Sequence, residues 1–227
     1  MDALVRPEIA ESKQPFAERL GQWLDLSDAM ALFSALGGAS SAPKATPTSP
    51  AFDKLRGEVD RVRSNLADSI RTDGVFVTGK VRVKLPTPGP EAGPQSASDF
   101  NPYHRYYLAH QRDMAASIGP LRTSLRSALA QHSSQLKQLA NIDAILDQAF
   151  ATRERNLLAT VPMLLAKRYA QLQAAHAAAT PPDEWLQPGA WLATFCQEMQ
   201  SVLLAELELR LQPVFGLLDA LSHEVNH

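Results

Sequence analysis

Residues 134–179 read SQLKQLANIDAILDQAFATRERNLLATVPMLLAKRYAQLQAAHAAA, and their periodicity decides the class of fold. Most of the intervening positions hold good helix formers. A single helix of this length would extend about 70 Å, and its apolar stripe must be buried against other long helices. The stripe recurs at spacings of three, four or seven, at Leu139, Ile142, Leu146, Phe150, Leu157, Val161, Leu164, Arg168 and Leu172.

Two later stretches show the same spacing and supply the expected neighbours. One begins at Pro102, which suits a first helical position, and Gly119–Pro120 predicts a kink or a break within it. Its stripe is Tyr107, Gln111, Met114, Ile118, Leu121, Leu125 and Leu129. The other follows Pro188–Gly189 and continues to Leu221. A helix near Phe52, with a heptad-type seam typical of a coiled coil, would be a fourth.

The sequence therefore predicts an all-α fold, an elongated antiparallel bundle of three to four long helices with short N-terminal helices and Pro-rich linkers. The central helix is expected to bend at Pro162. The predicted segments are a short N-terminal helical segment (1–36), a linker (37–50), an amphipathic helix with a basic extended segment (51–85), a Pro-rich linker (86–99) and the main bundle (100–227).

Residues 15–36 are predicted to form two short amphipathic helices, the second capped by Ser27 or Asp28. Such short helices are marginal alone and need a surface to dock on. That surface is either this protein's own bundle or a partner, and the sequence leaves both open. Candidate partner-binding residues on these helices are Phe16, Trp23, Met30 and Phe33.

Charge is unevenly distributed along a chain whose net charge is −2. Residues 51–90 carry 8 basic and 5 acidic side chains, whereas residues 181–227 carry 1 and 7. One interpretation is that a basic early helix and an acidic last helix select each other as neighbours. The alternative is a charged-partner site, in particular nucleic-acid binding by residues 54–84 through Arg56, Arg61, Arg63, Lys80, Arg82 and Lys84.

The chain has one cysteine, Cys196, so an intrachain disulfide is excluded and a reducing compartment is favoured. Its first residues lack the basic and apolar regions of a signal peptide. No uncharged apolar stretch reaches the roughly 18 residues of a membrane span. We therefore expect a cytoplasmic protein.

Motifs with a chemical meaning are weak. Gly74–Val81 reads GVFVTGKV and satisfies G-x-x-x-x-G-K, but Val81 stands where a phosphate loop needs Ser or Thr. The six histidines form no metal-ligand pattern. Cys196 lies on an apolar seam, where cysteine is usually a core residue. We expect no metal, no cofactor and no catalytic site, hence not an enzyme, unless the bundle conceals a polar pocket.

Two short charged or aromatic runs leave alternatives open. Residues 103–107, YHRYY, either fill the end of the bundle with their hydroxyls reaching water or stack on single-stranded nucleic acid. Arg153, Glu154 and Arg155 interrupt the central stripe. They are either rim residues with snorkelling stems or a specific polar layer or partner contact, and we include them among the candidate partner-binding residues.

Four segments together resemble an uncharacterised bacterial family, domain of unknown function 3348. They are QPFAERLGQWLDLSDAMALFSAL (14–36), FNPYHRYYLAHQRDMAASIGPLR (100–122), ATRERNLLATVPMLLAKRY (151–169) and VLLAELELRLQPVFGLLDAL (202–221). The family has no assigned activity, so the resemblance implies no catalytic residue. Its association with gene neighbourhoods for MotA/TolQ-like proton channels and OmpA-like envelope proteins implies a cytoplasmic accessory of an envelope motor.

The resulting hypothesis is a non-enzymatic helical adaptor or scaffold for protein–protein interaction. Amphipathic helices, separately tethered N-terminal helices and the lack of a recognisable site motivate it. A homo-oligomer stays open, and the alternative function is a nucleic-acid-associated helical protein using the basic 54–84 region.

Overall fold

The computed structural model describes residues 15–37, 49–88, 99–176 and 181–225. Within these ranges the regular secondary structure is helical, which confirms the prediction of an all-α fold. The helices are α1 (Phe16–Trp23), α2 (Leu26–Gly37), α3 (Ser49–Arg71), α4 (Asn101–His132), α5 (Ser134–Leu158), α6 (Val161–His176) and α7 (Trp191–Val225), with a 3₁₀ turn at Pro182–Glu184. Most of the two predicted linkers lies outside the described residues.

The central stretch forms two helices rather than one, so the expectation of a continuous helix is wrong. The chain turns at residues 159–160, where the Thr160 hydroxyl donates to the Leu157 carbonyl at 2.6 Å. The Thr160 carbonyl then accepts from the amides of Met163 and Leu164 and starts α6. Pro162 falls in the first turn of α6, where its missing N–H has no intrahelical role. The bend expected at Pro162 is therefore a break just before it.

Helix α4 continues through Gly119–Pro120 without the break that the sequence allowed. Proline at position 120 removes one backbone donor from the helix, but it lies on the exposed side. Ile118, Leu121 and Leu125 on the opposite side are buried in the core. Packing of this face holds the helix together across the proline.

The directions of the helices follow from the contacts between them. In an antiparallel pair, residues further along one helix contact residues earlier in the other. The contacts show that α3, α5 and α6 run one way and that α4 and α7 run the other. The pairs are Arg126–Asp143 and Gln111–Leu158 between α4 and α5, Gln200–Ile70 and Arg63–Glu208 between α7 and α3, and Arg168–Glu198 and Arg210–Glu154 between α7 and the α5–α6 arm.

One hydrophobic core joins these helices, and α7 runs through it. Phe195, Leu203 and Leu207 of α7 are fully buried, and Tyr107 of α4 is buried with them. Residues of α3 and the following segment, including Ile70 and Leu85, belong to the same core. The segment before Leu85, predicted to be extended, forms no strand within the described residues. In the part of the chain described, no helix is both long and apolar enough to cross a bilayer.

Candidate functional site

The first two helices dock on α5 of their own chain. The side-chain amide of Gln138 donates to the carbonyls of Ala35 and Leu36, at 3.1 and 2.8 Å. The Trp23 ring packs edge-on against Phe150, with 6.0 Å between ring centroids. Of the two surfaces that the sequence left open for these helices, the structure therefore shows the protein's own bundle.

Asp25 caps α2, in place of the predicted Ser27 or Asp28. The Asp25 carboxylate accepts from the Asp28 amide at 2.8 Å and from the Ser27 hydroxyl at 2.6 Å. Asp28 reciprocates by accepting from the Asp25 amide, which is the arrangement of a capping box with acidic residues at both positions. The hydrogen bond from Ser27, followed by the bond from the Asp28 amide, lowers the pKa of Asp25.

Helix α2 is apolar on both of its sides. Ala31, Leu32 and Ala35 are partly buried and lie on the docked side. Leu26, Met30 and Phe33, at spacings of four and three, share the opposite side and are 78, 65 and 80% exposed. We call these three residues the α2 stripe. A helix that is apolar all round normally has both sides covered.

The structure does not bring the predicted partner-binding residues together on one surface. Met30 and Phe33 are in the α2 stripe, whereas Trp23 lies against α5, where the Arg153 guanidinium stacks over its ring at 5.0 Å. Glu154 forms a 3.5 Å ion pair with Arg210 of α7. Arg155 is exposed and donates to atoms of its own helix. The Phe16 side chain lies outside the described residues.

A cavity of about 470 Å³ lies where α4, α5 and α7 meet, with Trp23 at its edge. Most of its wall is apolar, and the charged groups come from all three helices. The apolar residues include Met114, Ile118, Phe150, Leu157, Leu158, Leu209 and Pro213. The charged residues are Arg122, Arg153, Arg155, Arg210, Asp147 and Glu154. The sequence did not predict this cavity, because it depends on three separate helices.

Glu206 of α7 is buried near this cavity, and its carboxylate is bound by three side chains. Its carboxylate accepts from the Tyr107 hydroxyl at 2.7 Å, from the Gln111 amide at 3.0 Å and from Arg210 at 2.8 Å. The sequence placed Tyr107 and Gln111 on a core stripe and expected tyrosine hydroxyls to reach water. The Tyr107 hydroxyl instead binds Glu206, and burial followed by this bond raises its pKa. In the sequence, the position of Gln111 on an apolar stripe was the one indication that its side chain binds a buried polar group.

A four-residue ion-pair cluster joins α4 to α5. Arg122 and Arg126 each contact both Asp143 and Asp147, at 2.6–2.7 Å. Burial acts to raise the pKa of Asp143, but hydrogen bonds and charges from the two arginines outweigh it and lower that pKa. The i, i+4 spacing within each pair was visible in the sequence, but the facing of the two helices was not.

The glycine-rich segment that follows α3 binds a carboxylate of its own chain. Asp73 is buried, and its Oδ1 accepts from the amides of Val75, Phe76 and Val77 at 2.8, 2.8 and 3.2 Å. Its Oδ2 accepts from Gln200 of α7 at 2.9 Å. Amides that a phosphate would need are therefore already used, in agreement with our interpretation that Gly74–Val81 is not a nucleotide site.

The other residues considered for chemistry are part of the core. Tyr103, Tyr106 and Tyr107 are buried, which agrees with their filling the bundle rather than stacking on nucleic acid. Cys196 is also buried, and burial raises the pKa of its thiol to about 12. His110 is buried, and burial lowers its pKa to about 4. Within the described ranges, no group of three or more His, Cys, Asp or Glu side chains could hold a metal ion.

The basic region of residues 54–84 is partly neutralised by the rest of the chain. Arg63 pairs with Glu208 of α7 at 2.9 Å and Arg82 with Asp113 of α4 at 3.3 Å. The Arg63–Glu208 pair agrees with the interpretation that a basic α3 and an acidic α7 are complementary neighbours.

A family model described as protein of unknown function (DUF3348) matches residues 1–223. Because the match covers nearly the whole chain, the protein belongs to this family, as the sequence resemblance indicated. Comparison with curated proteins and with solved structures found no significant match. No functional residue can therefore be transferred from a relative.

Proposed function

We propose that this DUF3348 protein is a non-enzymatic helical adaptor that binds an amphipathic helix of another protein on the α2 stripe. The observation that carries the proposal is the two-sided character of α2, which docks on α5 with one side and exposes Leu26, Met30 and Phe33 on the other. An apolar helix side that water contacts in the free protein gains free energy when a second helix covers it.

Charge around the stripe indicates the chemistry of the partner helix. Glu18 of α1 and Asp25, between the two helices, are exposed acidic residues, and Asp28 of α2 is a partly buried one. A partner with an apolar stripe and flanking Lys or Arg side chains would complement them, and opposite charges at the rim increase the association rate. The partner is therefore expected to be a basic amphipathic helix rather than a second copy of the acidic α2.

The rest of the chain acts as the scaffold in this proposal. An elongated antiparallel bundle of three to four long helices, with Pro-rich linkers at its N-terminal side, presents α2 at a fixed position on α5. The gene neighbourhoods associated with the family motivate the choice of partner, a cytoplasmic segment of a MotA/TolQ-like channel. In this proposal the protein is a cytoplasmic accessory of that envelope complex.

The test compares two methionines of nearly equal exposure. Met30 in the α2 stripe is 65% exposed and Met163 on α6 is 64% exposed. Binding of the full chain to purified cytoplasmic segments of the neighbouring channel proteins is measured by calorimetry. Met30→Gln and Phe33→Gln should weaken binding at least tenfold, while Met163→Gln should leave it unchanged. Absence of binding to every such segment, or equal effects of Met30→Gln and Met163→Gln, would contradict the proposal.

Nucleic-acid binding by the basic region stays the second candidate, because Lys54, Arg56, Arg61, Lys80 and Lys84 are exposed and form no ion pair within the described residues. Such binding must weaken steeply as salt is raised. A gel shift that is unaffected by charge reversal at Arg56, Arg61 and Lys80 would reject it.

A further inference from the structure

We propose that the cavity between α4, α5 and α7 binds a small amphipathic monoanion, namely a long-chain carboxylate. This site is separate from the α2 stripe and goes beyond the adaptor function. A volume of about 470 Å³ lies within the range of small-molecule sites. The cavity also combines an apolar wall with a few charged groups, as such sites do.

The wall explains why the ligand needs an apolar chain. Met114 and Ile118 of α4 line the cavity and are buried, and Phe150 of α5 adds an aromatic side chain to the lining. Leu157 and Leu209 at the rim are 59 and 62% exposed. An alkyl chain would remove this apolar surface from water, which is favourable in proportion to the area covered.

The charges around the cavity explain why the head group is a single negative charge. Arg122, Arg126 and Arg210 are paired with the four acidic residues Asp143, Asp147, Glu154 and Glu206. Within the described part of the chain, Arg153 and Arg155 have no carboxylate partner. The cluster therefore holds five cations and four anions, and one added carboxylate makes it neutral.

Arg153 has the right geometry to receive that carboxylate. Its guanidinium carbon lies over the Trp23 ring, 5.0 Å from the ring centroid. A contact with a ring face involves no acceptor oxygen, so the guanidinium keeps N–H donors with which a carboxylate can form two parallel hydrogen bonds. Arg155 lines the same cavity two residues further along α5. Both side chains are exposed, so their replacement should leave the helical bundle folded, although it removes the contact of Arg153 with Trp23.

The test uses dodecanoate and dodecanol, two probes with the same alkyl chain and different head groups. Each is titrated into the full chain by calorimetry below its aggregation concentration. Dodecanoate should bind saturably at one site and at least tenfold more tightly than dodecanol. The double variant Arg153→Ala/Arg155→Ala should lose that preference, whereas the matched control Arg56→Ala/Arg61→Ala should keep it. Equal affinity for the two probes, or equal effects of the two double variants, would overturn the proposal.

A second variant tests the location of the chain. Ala151 lines the cavity, and Ala151→Trp should fill the space and abolish binding of both probes while circular dichroism shows an unchanged helix content. In the wild type, each methylene removed from the probe should weaken binding roughly fourfold. Retained binding by a folded Ala151→Trp variant would overturn the proposal. So would binding to dodecanoate-containing vesicles without any binding to the monomeric acid.

Discussion

The guanidinium carbon of Arg153 lies over the Trp23 ring, 5.0 Å from its centroid, and the Phe150 ring makes a T-shaped contact with the same ring, with 6.0 Å between the ring centroids. Arg153 and Phe150 are three residues apart and lie on one face of α5. One side chain of α1 is thus held by two of α5, at the edge of the cavity. This contact and the Gln138 hydrogen bonds fix the N-terminal helices, whose second member contributes no fully buried residue.

Replacing Trp23 by alanine should release α1 and α2 without unfolding the bundle. The aromatic pair and the cation–π contact together are worth about 1–2 kcal/mol, so local opening should become roughly ten times more frequent. Hydrogen exchange of residues 16–37 should accelerate accordingly. The melting temperature should change little, because the core lies in the other helices.

The same contact is tested from the α5 side by Arg153→Ala, with Arg155→Ala as the matched control. The first removes the cation over the Trp23 ring, whereas the second removes an exposed arginine that bonds only to its own helix within the described residues. Arg153→Ala should accelerate exchange of residues 16–37 and Arg155→Ala should not. A fall in the melting temperature without any local change would show that the N-terminal helices belong to the cooperative core.

Two neighbouring glutamates of α7 should differ sharply in their contribution to stability. Glu206→Ala leaves Arg210, whose side chain is 17% exposed, without its closest carboxylate, and should lower the free energy of unfolding by about 3 kcal/mol. Glu208 pairs with Arg63 at the surface, where both side chains are about half exposed, and Glu208→Ala should cost about 0–1 kcal/mol. Urea denaturation of the two variants measures the difference. Equal losses would contradict the assignment of Glu206 as a buried acceptor.

Gly74 is required by its backbone conformation. Its φ is +76°, and a Cβ there would come within 2.9 Å of a Val81 methyl group. Gly74→Ala should therefore destabilise the protein by about 1–2 kcal/mol. Gly57→Ala is the control, because a Cβ on that helical glycine meets nothing within 4 Å, and alanine should be neutral or stabilising there. Denaturant unfolding of both variants tests this, and a neutral Gly74→Ala would be inconsistent with the turn.

The sequence predicted the helices well because their signals are local. Three-four spacing identified α3, α4 and α7, and Pro188–Gly189 correctly preceded α7. The phase of the central stripe was less predictable. Leu157 and Leu164 were assigned to it but are 59 and 60% exposed, at the end of α5 and in the first turn of α6, on either side of the turn at residues 159–160. Such a turn depends on a few hydrogen bonds and leaves composition and spacing almost unchanged.

The candidate site was less predictable because it depends on which helices face each other. Arg153 was identified as an interruption of the stripe, but its contact with Trp23 joins residues 130 positions apart. Glu206 lies in AELELRL (205–211), where the local pattern does not show that Glu206 is buried and that the next glutamate, Glu208, is only partly buried. The α2 stripe was partly found, through Met30 and Phe33. Its exposure could not be predicted without knowing which side of α2 docks on α5.

His110 should make stability depend on pH between about 6.5 and 4. Burial lowers its pKa to about 4, against the effect of Asp113 and with that of Arg82, whereas the unfolded chain has the ordinary value of 6.5. Between these two values the unfolded state binds a proton that the folded state does not, so acidification should remove about 3 kcal/mol of stability. Urea denaturation at pH 7 and at pH 4.5 measures most of this slope.

His110→Leu should flatten that slope, and His223→Leu, at an exposed position near the end of α7, should not. The variant Asp143→Asn distinguishes the pH dependence that comes from Asp143 from the pH dependence that comes from His110. Because the two arginines lower the pKa of Asp143 below 3.8, its contribution is fully present above the unfolded value and is lost only as pH falls through the folded one. Asp143→Asn should therefore leave the slope between pH 6.5 and 4 unchanged and flatten the further loss below pH 4. A His110→Leu variant that retains the wild-type slope would mean that folding does not lower the pKa of this histidine.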